Sequence, residues 1–351
     1  MPARMSAVAI AGIGSSDQLR LQPLDRPVPG PGEILLRVHA AAVARTDVLL
    51  RVGELPGGGA FPRILGGEAA GVITEVGEGA GGFEPGQRVL VFSDRVGRDR
   101  PGTYAEFVVV PAGDVHVIPD GLGFVSAAAL GRPFATAWVA LLEAAALGAT
   151  AEFGTRERLV VSAASSGVGT AAIQIARWKG ATVVAISSGT KATRLMTLGA
   201  QRVVSRSAED LVERVVTAFG GHRATLILDL VGRDTLRSSV AMLEPRGRIV
   251  CVGTISGELA EIDAAALIQK RATIRGGRGR IESDDLQRIL TLVGEGTFFP
   301  VIDSILPLSA ARAAHQRVES RRSFGKVLLI PDALYHSGED LGQPVVKAGA
   351  G

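Results

Sequence analysis

Apolar residues in this chain follow two different rhythms. Up to about residue 125 they come in short runs broken by Gly and Pro. Residues 33–40 follow a turn-rich stretch at 27–32, residues 71–76 stop at Gly77, residues 88–92 run into a charged loop, and residues 107–110 run into Pro111. Strands this close together, with turn signals between them, predict a compact β-rich unit. Beyond Ser126 the rhythm changes. Residues 159–162, 182–186, 226–229 and 249–252 are short, rich in β-branched residues and nearly all apolar. Such runs fit parallel strands covered on both faces. Helical patterns at 170–179 and 208–219 separate them, and this alternation predicts a doubly wound α/β sheet. A further helix is expected at 284–294 and a late strand at 327–330, while residues 336–351 carry no pattern and are expected to be mobile.

Composition narrows the picture. A chain of 351 residues can hold two cores. The formal charge of +3 is spread thinly, which gives no case for nucleic acid. Cys251 is the single cysteine, so neither an internal disulfide nor a Cys-rich metal site can form. The first residues reach Gly12, Gly14 and Asp17 without a sustained apolar core, so no secretory signal is expected. The apolar region 127–151 is interrupted by Arg132, Pro133 and Glu143, too broken to span a membrane. A cytoplasmic location is the expectation.

The sharpest local chemistry lies at Ser165, Ser166, Gly167, Val168 and Gly169, between a predicted strand and a predicted helix. A dinucleotide fingerprint needs this context. Glycines allow a tight turn and close backbone approach to a pyrophosphate, and the helix N-terminus adds partial positive charge. Ser165 stands where the first of three glycines is usual, so a plain Gly/Ser turn is the alternative. At the end of the second strand an NAD site carries an acidic residue for the ribose 2′-OH. Here stand Ser187, Ser188 and Lys191, with Arg194 a turn later. Hydroxyls and a cation suit a 2′-phosphate, which points to NADPH; the alternative is a solvated basic face.

Other segments carry a family likeness: residues 65–72, 76–79 and 85–89, then 102–107, Thr136 to Trp138, and 323–327. In this order and spacing, the chain from about Ile34 to Ile330 resembles the medium-chain dehydrogenase/reductase superfamily. The resemblance implies a GroES-like β-rich substrate domain at 1–125, a Rossmann NADPH-binding domain at 126–275, a return to the substrate domain at 276–335, and a cleft between the two. It also implies that the zinc ligands of the metal-dependent members fall on Ala44, Gly67 and Arg132, none of which can ligate zinc. The region 94–101, where a four-cysteine lobe would lie, has no Cys. No metal site is therefore expected, and Glu68 is expected to pair with a nearby cation. His39, His116, His222, His315 and His336 are scattered and read as structural or surface residues.

The zinc-free branch of that family includes quinone oxidoreductases and enoyl reductases, which implies hydride transfer from NADPH to a quinone or an α,β-unsaturated carbonyl. Three residues are candidates for the chemistry. Thr46 matches a proton-relay hydroxyl of the zinc relatives, the alternative being a helix N-cap. Arg132 could supply the positive charge a metal would otherwise provide, the alternative being an ion pair with Glu68 or Asp47. Tyr104 is the nearest phenol, the alternative being a structural strand residue. Arg45 resembles a pyrophosphate contact, Thr136 a residue near the nicotinamide, and Val252, Gly253 and Thr254 the loop that holds its carboxamide. Zinc-free relatives often have an Asn where this chain has Ala44, and no Tyr lies between Asp47 and Gly59. Two alternatives to a quinone or enone reductase therefore stay open: an enoyl-thioester reductase, and a crystallin-like NADPH-binding protein with little turnover. A small-molecule substrate and a homodimer, formed through the sheet edge at 271–276, complete the expectations.

Overall fold

The computed structural model describes residues 3–148, 157–254, 257, 259–337 and 341. Two compact units emerge, one from residues 1–132 and 299–346 and the other mainly from 133–298. These limits differ from those read in the sequence. The apolar helix that opens near Ser126 runs across the first limit, and the helix expected at 284–294 goes with the second unit rather than the first.

The first unit opens with β1 (Arg4–Ile10) and β2 (Arg20–Asp25), followed by β3 (Glu33–Val43) and the helix α1 (Arg45–Val52). Strands β4 (Arg63–Ile64), β5 (Glu68–Val76), β6 (Arg88–Phe92), β7 (Phe107–Pro111) and β8 (Val115–Val117) complete its first segment. Eleven-residue β3 organises the main sheet. One edge carries β5, and the first half of the other edge carries β7. Ile34, Leu36, Ile73, Val89, Val91 and Val108 fill the core beneath it.

Helix α2 (Phe124–Trp138) continues into a π-helical stretch, Val139–Ala144. Together they make 21 residues long and apolar enough to cross a membrane, yet 83% of the apolar window is buried, as in a core helix. The second unit then alternates without a break: β9 (Arg158–Val161), α3 (Gly167–Trp178), β10 (Thr182–Ser187), α4 (Ala192–Leu198), β11 (Arg202–Ser205), α5 (Leu211–Ala218), β12 (Ala224–Asp229), α6 (Arg233–Met242), β13 (Leu243–Cys251), α7 (Ala264–Lys270), β14 (Thr273–Gly276) and α8 (Ser283–Gly294). All six strands are parallel, in the order β11-β10-β9-β12-β13-β14. Counted from the first, that is 3-2-1-4-5-6, the Rossmann order. The reversal between β9 and β12 puts the loops after those strands at the switch point, where ligands of such sheets bind.

The chain returns to the first unit with β15 (Ile302–Pro307), α9 (Ala311–Glu319), β16 (Lys326–Ile330) and α10 (Asp332–Ser337). Strand β16 pairs with the C-terminal half of β3, on the edge that β7 leaves open. The expectation of a mobile tail falls mostly outside the described residues.

Candidate functional site

In the second unit the loop from β9 to α3 forms a cradle. Ser166 caps α3, its hydroxyl accepting from the Gly169 amide at 3.1 Å. That leaves the other first-turn N–H groups of a twelve-residue helix pointing outward beside Gly167 and Val168. Gly169 allows the close packing of helix on strand: a Cβ there would lie 2.6 Å from the Ala164 carbonyl oxygen. The Lys191 ammonium donates to the Ser165 hydroxyl at 2.9 Å, so the end of β10 reaches the cradle. Ser187 is buried at the end of β10, and Ser188 shares a hydrogen bond with Thr190 at 3.2 Å. No carboxylate occurs between Ser187 and Arg194. These groups fit a nicotinamide dinucleotide.

The neighbouring strand ends are tied together by Asp229, which sequence reasoning missed. Fully buried at the end of β12, its carboxylate accepts from the amides of Val231 (2.9 Å) and Gly232 (3.1 Å) and from the hydroxyls of Thr235, Ser162 and Ser239. The Asp229 carbonyl accepts from the amides of Val252 and Gly253. Gly253 passes so close to the Leu230 carbonyl that no Cβ would fit, and Thr254 beside it is exposed. Ser162 opens the cradle loop and Val252 opens the loop after β13, so one residue holds both, the first through its carboxylate and the second through its backbone carbonyl. Thr136, on α2, is half-buried. Cys251 is half-buried as well, and burial pushes its thiol up to about 11, away from a reactive thiolate.

In the first unit the structure assembles a buried polar cluster. Glu68, at the start of β5, receives both oxygens' worth of pairing from Lys326 at 3.0 Å. The Arg132 guanidinium lies 3.4 Å from Glu68, donates to Asp94 at 2.6 Å and to the Ser93 carbonyl at 2.6 Å, and keeps a quarter of its side chain exposed. Burial works against its charge, but Glu68 and Asp94 raise its pKa above the ordinary arginine value. The expected cation partner of Glu68 is therefore two cations, Lys326 and Arg132. A lone buried carboxylate would be costly, and two positive charges offset that cost.

Next to this cluster lies Asp47, on the first turn of α1. It accepts from the Ala44 amide at 2.8 Å and from the Tyr104 hydroxyl at 2.9 Å. Tyr104 also contacts His315 (3.2 Å), and Arg51 donates to His315 (3.3 Å) and to the Gly14 carbonyl (2.5 Å) and pairs with Glu319. Burial pushes Asp47 up to about 6, helped by the charge of Glu68 and opposed by the Ala44 amide. Burial, with Arg51 alongside, holds His315 down at about 3.

Two sequence expectations change here. Tyr104 lies outside any strand, just before β7, and is fully enclosed with its hydroxyl committed to Asp47 and His315. With no exposed surface it cannot meet a substrate, so it is a core residue and not a proton donor. Thr46 is not the N-cap of α1; Ala44 holds that position and the cap is closed by Asp47, leaving Thr46 exposed on the first turn. The three positions aligned with zinc ligands carry a methyl group, a hydrogen and a guanidinium. A Cβ on Gly67 would press to 2.8 Å on the Ser93 carbonyl and 3.4 Å on Arg132, so these residues do not fit zinc. Among the described residues no three His, Cys, Asp or Glu side chains converge elsewhere.

Known proteins place this geometry. Residues 30–120 match the family model of an alcohol dehydrogenase GroES-like domain, and residues 167–295 that of a zinc-binding dehydrogenase. The chain is 30% identical over 335 residues to a quinone oxidoreductase of Rattus norvegicus, covering 93% of this chain and 98% of that one. It is 27% identical over 356 residues to the Homo sapiens synaptic vesicle membrane protein VAT-1 homolog, covering 93% and 86%. Among solved structures, an NAD-dependent alcohol dehydrogenase matches with a TM-score of 0.84 at 33% identity, covering 93% and 99%. The quinone oxidoreductase of Coxiella burnetii matches with a TM-score of 0.80 at 26% identity over the same shares. The chain therefore belongs to the medium-chain dehydrogenase/reductase superfamily, in its quinone oxidoreductase-like branch, and is an oxidoreductase built from a GroES-like domain and a Rossmann domain.

Proposed function

We propose that this oxidoreductase is a zinc-independent, NADPH-dependent reductase of a conjugated acceptor, a quinone or an α,β-unsaturated carbonyl. The observation that carries the proposal is the Lys191–Ser165 contact at the cradle, at the end of a β10 that presents hydroxyls and no carboxylate. Lys191, Ser187 and Ser188 are suited to a 2′-phosphate, which an acidic residue there would repel. Gly167, Val168 and Gly169 supply first-turn amides for the pyrophosphate. Arg45, whose Nε is buried without a hydrogen-bond partner among the described residues, is a further pyrophosphate contact in this reading. Thr136 and the loop of Val252, Gly253 and Thr254 hold the nicotinamide end.

When bound, NADPH supplies the hydride. Arg132 supplies fixed positive charge for the oxygen on which negative charge develops. Glu68 and Asp94 hold that guanidinium in place, and the misfit of Ala44, Gly67 and Arg132 to a metal supports assigning the charge to it. In this reading the Thr46 hydroxyl, exposed on the first turn of α1, passes a proton from water. The name of the Rattus norvegicus relative favours a quinone over an enoyl thioester as the acceptor class. A homodimer along β14 completes the reading, because that strand ends the parallel sheet with one side unpaired among the described residues.

Steady-state oxidation of NADPH and NADH with quinones, unsaturated ketones and enoyl-CoA esters tests the proposal. Turnover with NADPH and a quinone or enone is expected, and Lys191→Ala should raise the Kd for NADPH several-fold while leaving NADH nearly unchanged. Equal losses for both cofactors would remove the 2′-phosphate role. Tight NADPH binding without turnover on any acceptor would favour a crystallin-like binding protein instead.

A further inference from the structure

The polar chain behind α1 has a direction. An arginine Nε–H can only donate, so the 3.3 Å contact from Arg51 makes His315 Nδ1 an acceptor. The neutral ring then carries its proton on Nε2 and donates to the Tyr104 oxygen at 3.2 Å. The single Tyr104 proton is left for Asp47, 2.9 Å away. Each donor points toward Asp47, and the same Asp47 oxygen receives the Ala44 amide at 2.8 Å. Arg51 is itself anchored by the Gly14 carbonyl and Glu319. Four residues from β3's exit, α1, the segment before β7 and α9 thus converge on the cap of one helix turn, the turn that bears Arg45 and Thr46.

We infer that Arg51, His315 and Tyr104 form a one-way hydrogen-bond chain that fixes Asp47 as the cap of α1, and that Tyr104 and His315 are positioning residues that set Arg45 for the cofactor. The inference rests on the proposed role of Arg45 as a pyrophosphate contact. Neither Tyr104 nor His315 needs to touch cofactor or substrate. The effect passes through Asp47 to the backbone at Ala44, one residue before Arg45. Dipoles aligned head to tail strengthen one another in a buried setting, so loss of one member loosens the rest.

A double-mutant cycle on the full-length protein, read by NADPH Kd, tests this. Arg45→Ala is expected to raise Kd about tenfold and Tyr104→Phe about fivefold, while the double variant should be no weaker than Arg45→Ala alone. Additive losses would overturn the positioning role, since Tyr104 would then act independently of Arg45. An Arg45→Ala protein that binds NADPH as tightly as the unaltered one would instead remove the underlying reading of Arg45, and the inference with it. A second measurement needs no altered protein at Tyr104. In ¹⁵N NMR of the native chain, with His315 assigned by its loss in His315→Gln, the ring should stay neutral with its proton on Nε2 from about pH 5 to 8. A proton on Nδ1 or an imidazolium in that range would overturn the direction of the chain.

Discussion

At the scale of single residues, Asp47 and His315 are two buried groups with opposite responses to acid. Asp47 titrates at about 6 in the folded chain, above its unfolded value, so its contribution to stability is full below about pH 4 and is lost as pH rises through 6. His315 titrates at about 3, below its unfolded value, so its contribution is present above about pH 6.5 and is lost as pH falls. Between roughly pH 4 and 6 the two slopes oppose and nearly cancel. Asp47→Asn keeps an oxygen to accept from Ala44 and Tyr104 but cannot ionise. Its stability, measured by urea unfolding, is expected to rise with pH across that window by about 1 kcal/mol per unit, where the native protein stays nearly flat. At pH 7 it should match or exceed the native protein. Asp47→Ala, which orphans the Ala44 amide and the Tyr104 hydroxyl, should cost about 3 kcal/mol. Equal destabilisation by Asn and Ala would show that the negative charge itself is required.

At the scale of elements, the Asp229 carboxylate links the ends of β9 and β12 to α6 through five donors. Asp229→Ala is expected to cost about 3 kcal/mol or more and to weaken NADPH binding at least tenfold, read by thermal melting and by titration. Unchanged NADPH affinity in a destabilised variant would separate the knot from the cradle. Much of this architecture was legible in the sequence. Strands β9, β10 and β12 are buried on both faces, so their unbroken apolar runs stood out, and the Ser/Gly turn announced α3. Strand β2 did not, because it alternates exposed and half-buried positions with Pro23 inside it. The polar cluster was less legible still. Glu68 and Lys326 lie 258 residues apart, and Arg51 and Glu319 lie 268 apart. Nothing local in the sequence marks such partners; a cation beside Glu68 was expected only because the residues around it make a poor zinc site, and which cation was not legible. Tyr104 misled because a phenol's chemistry is visible in sequence and its enclosure is not.

At the scale of the whole molecule, the first unit is discontinuous in the chain and the second is nearly continuous. Strand β16 lies inside the first unit's sheet, between β15 and β3, and carries Lys326 to Glu68. Ending the chain after Gly325 should therefore unfold the first unit, with Glu68 left buried and short of a cation, a loss of roughly 3–5 kcal/mol from that pair alone. The second unit, whose sheet closes at Gly276, should keep its own cooperative melt. Calorimetry checks this, and loss of both transitions would mean that neither unit stands without the other. The same arrangement orders events during synthesis. The parallel sheet can close once Gly276 has left the ribosome, but the C-terminal half of β3's second edge, Ala41–Val43, has no partner until Ile330 follows. At about 5–20 residues per second that interval lasts roughly 3–10 s. Throughout it a nascent chain displays an open strand edge over an apolar face, and a holding chaperone would find its target there.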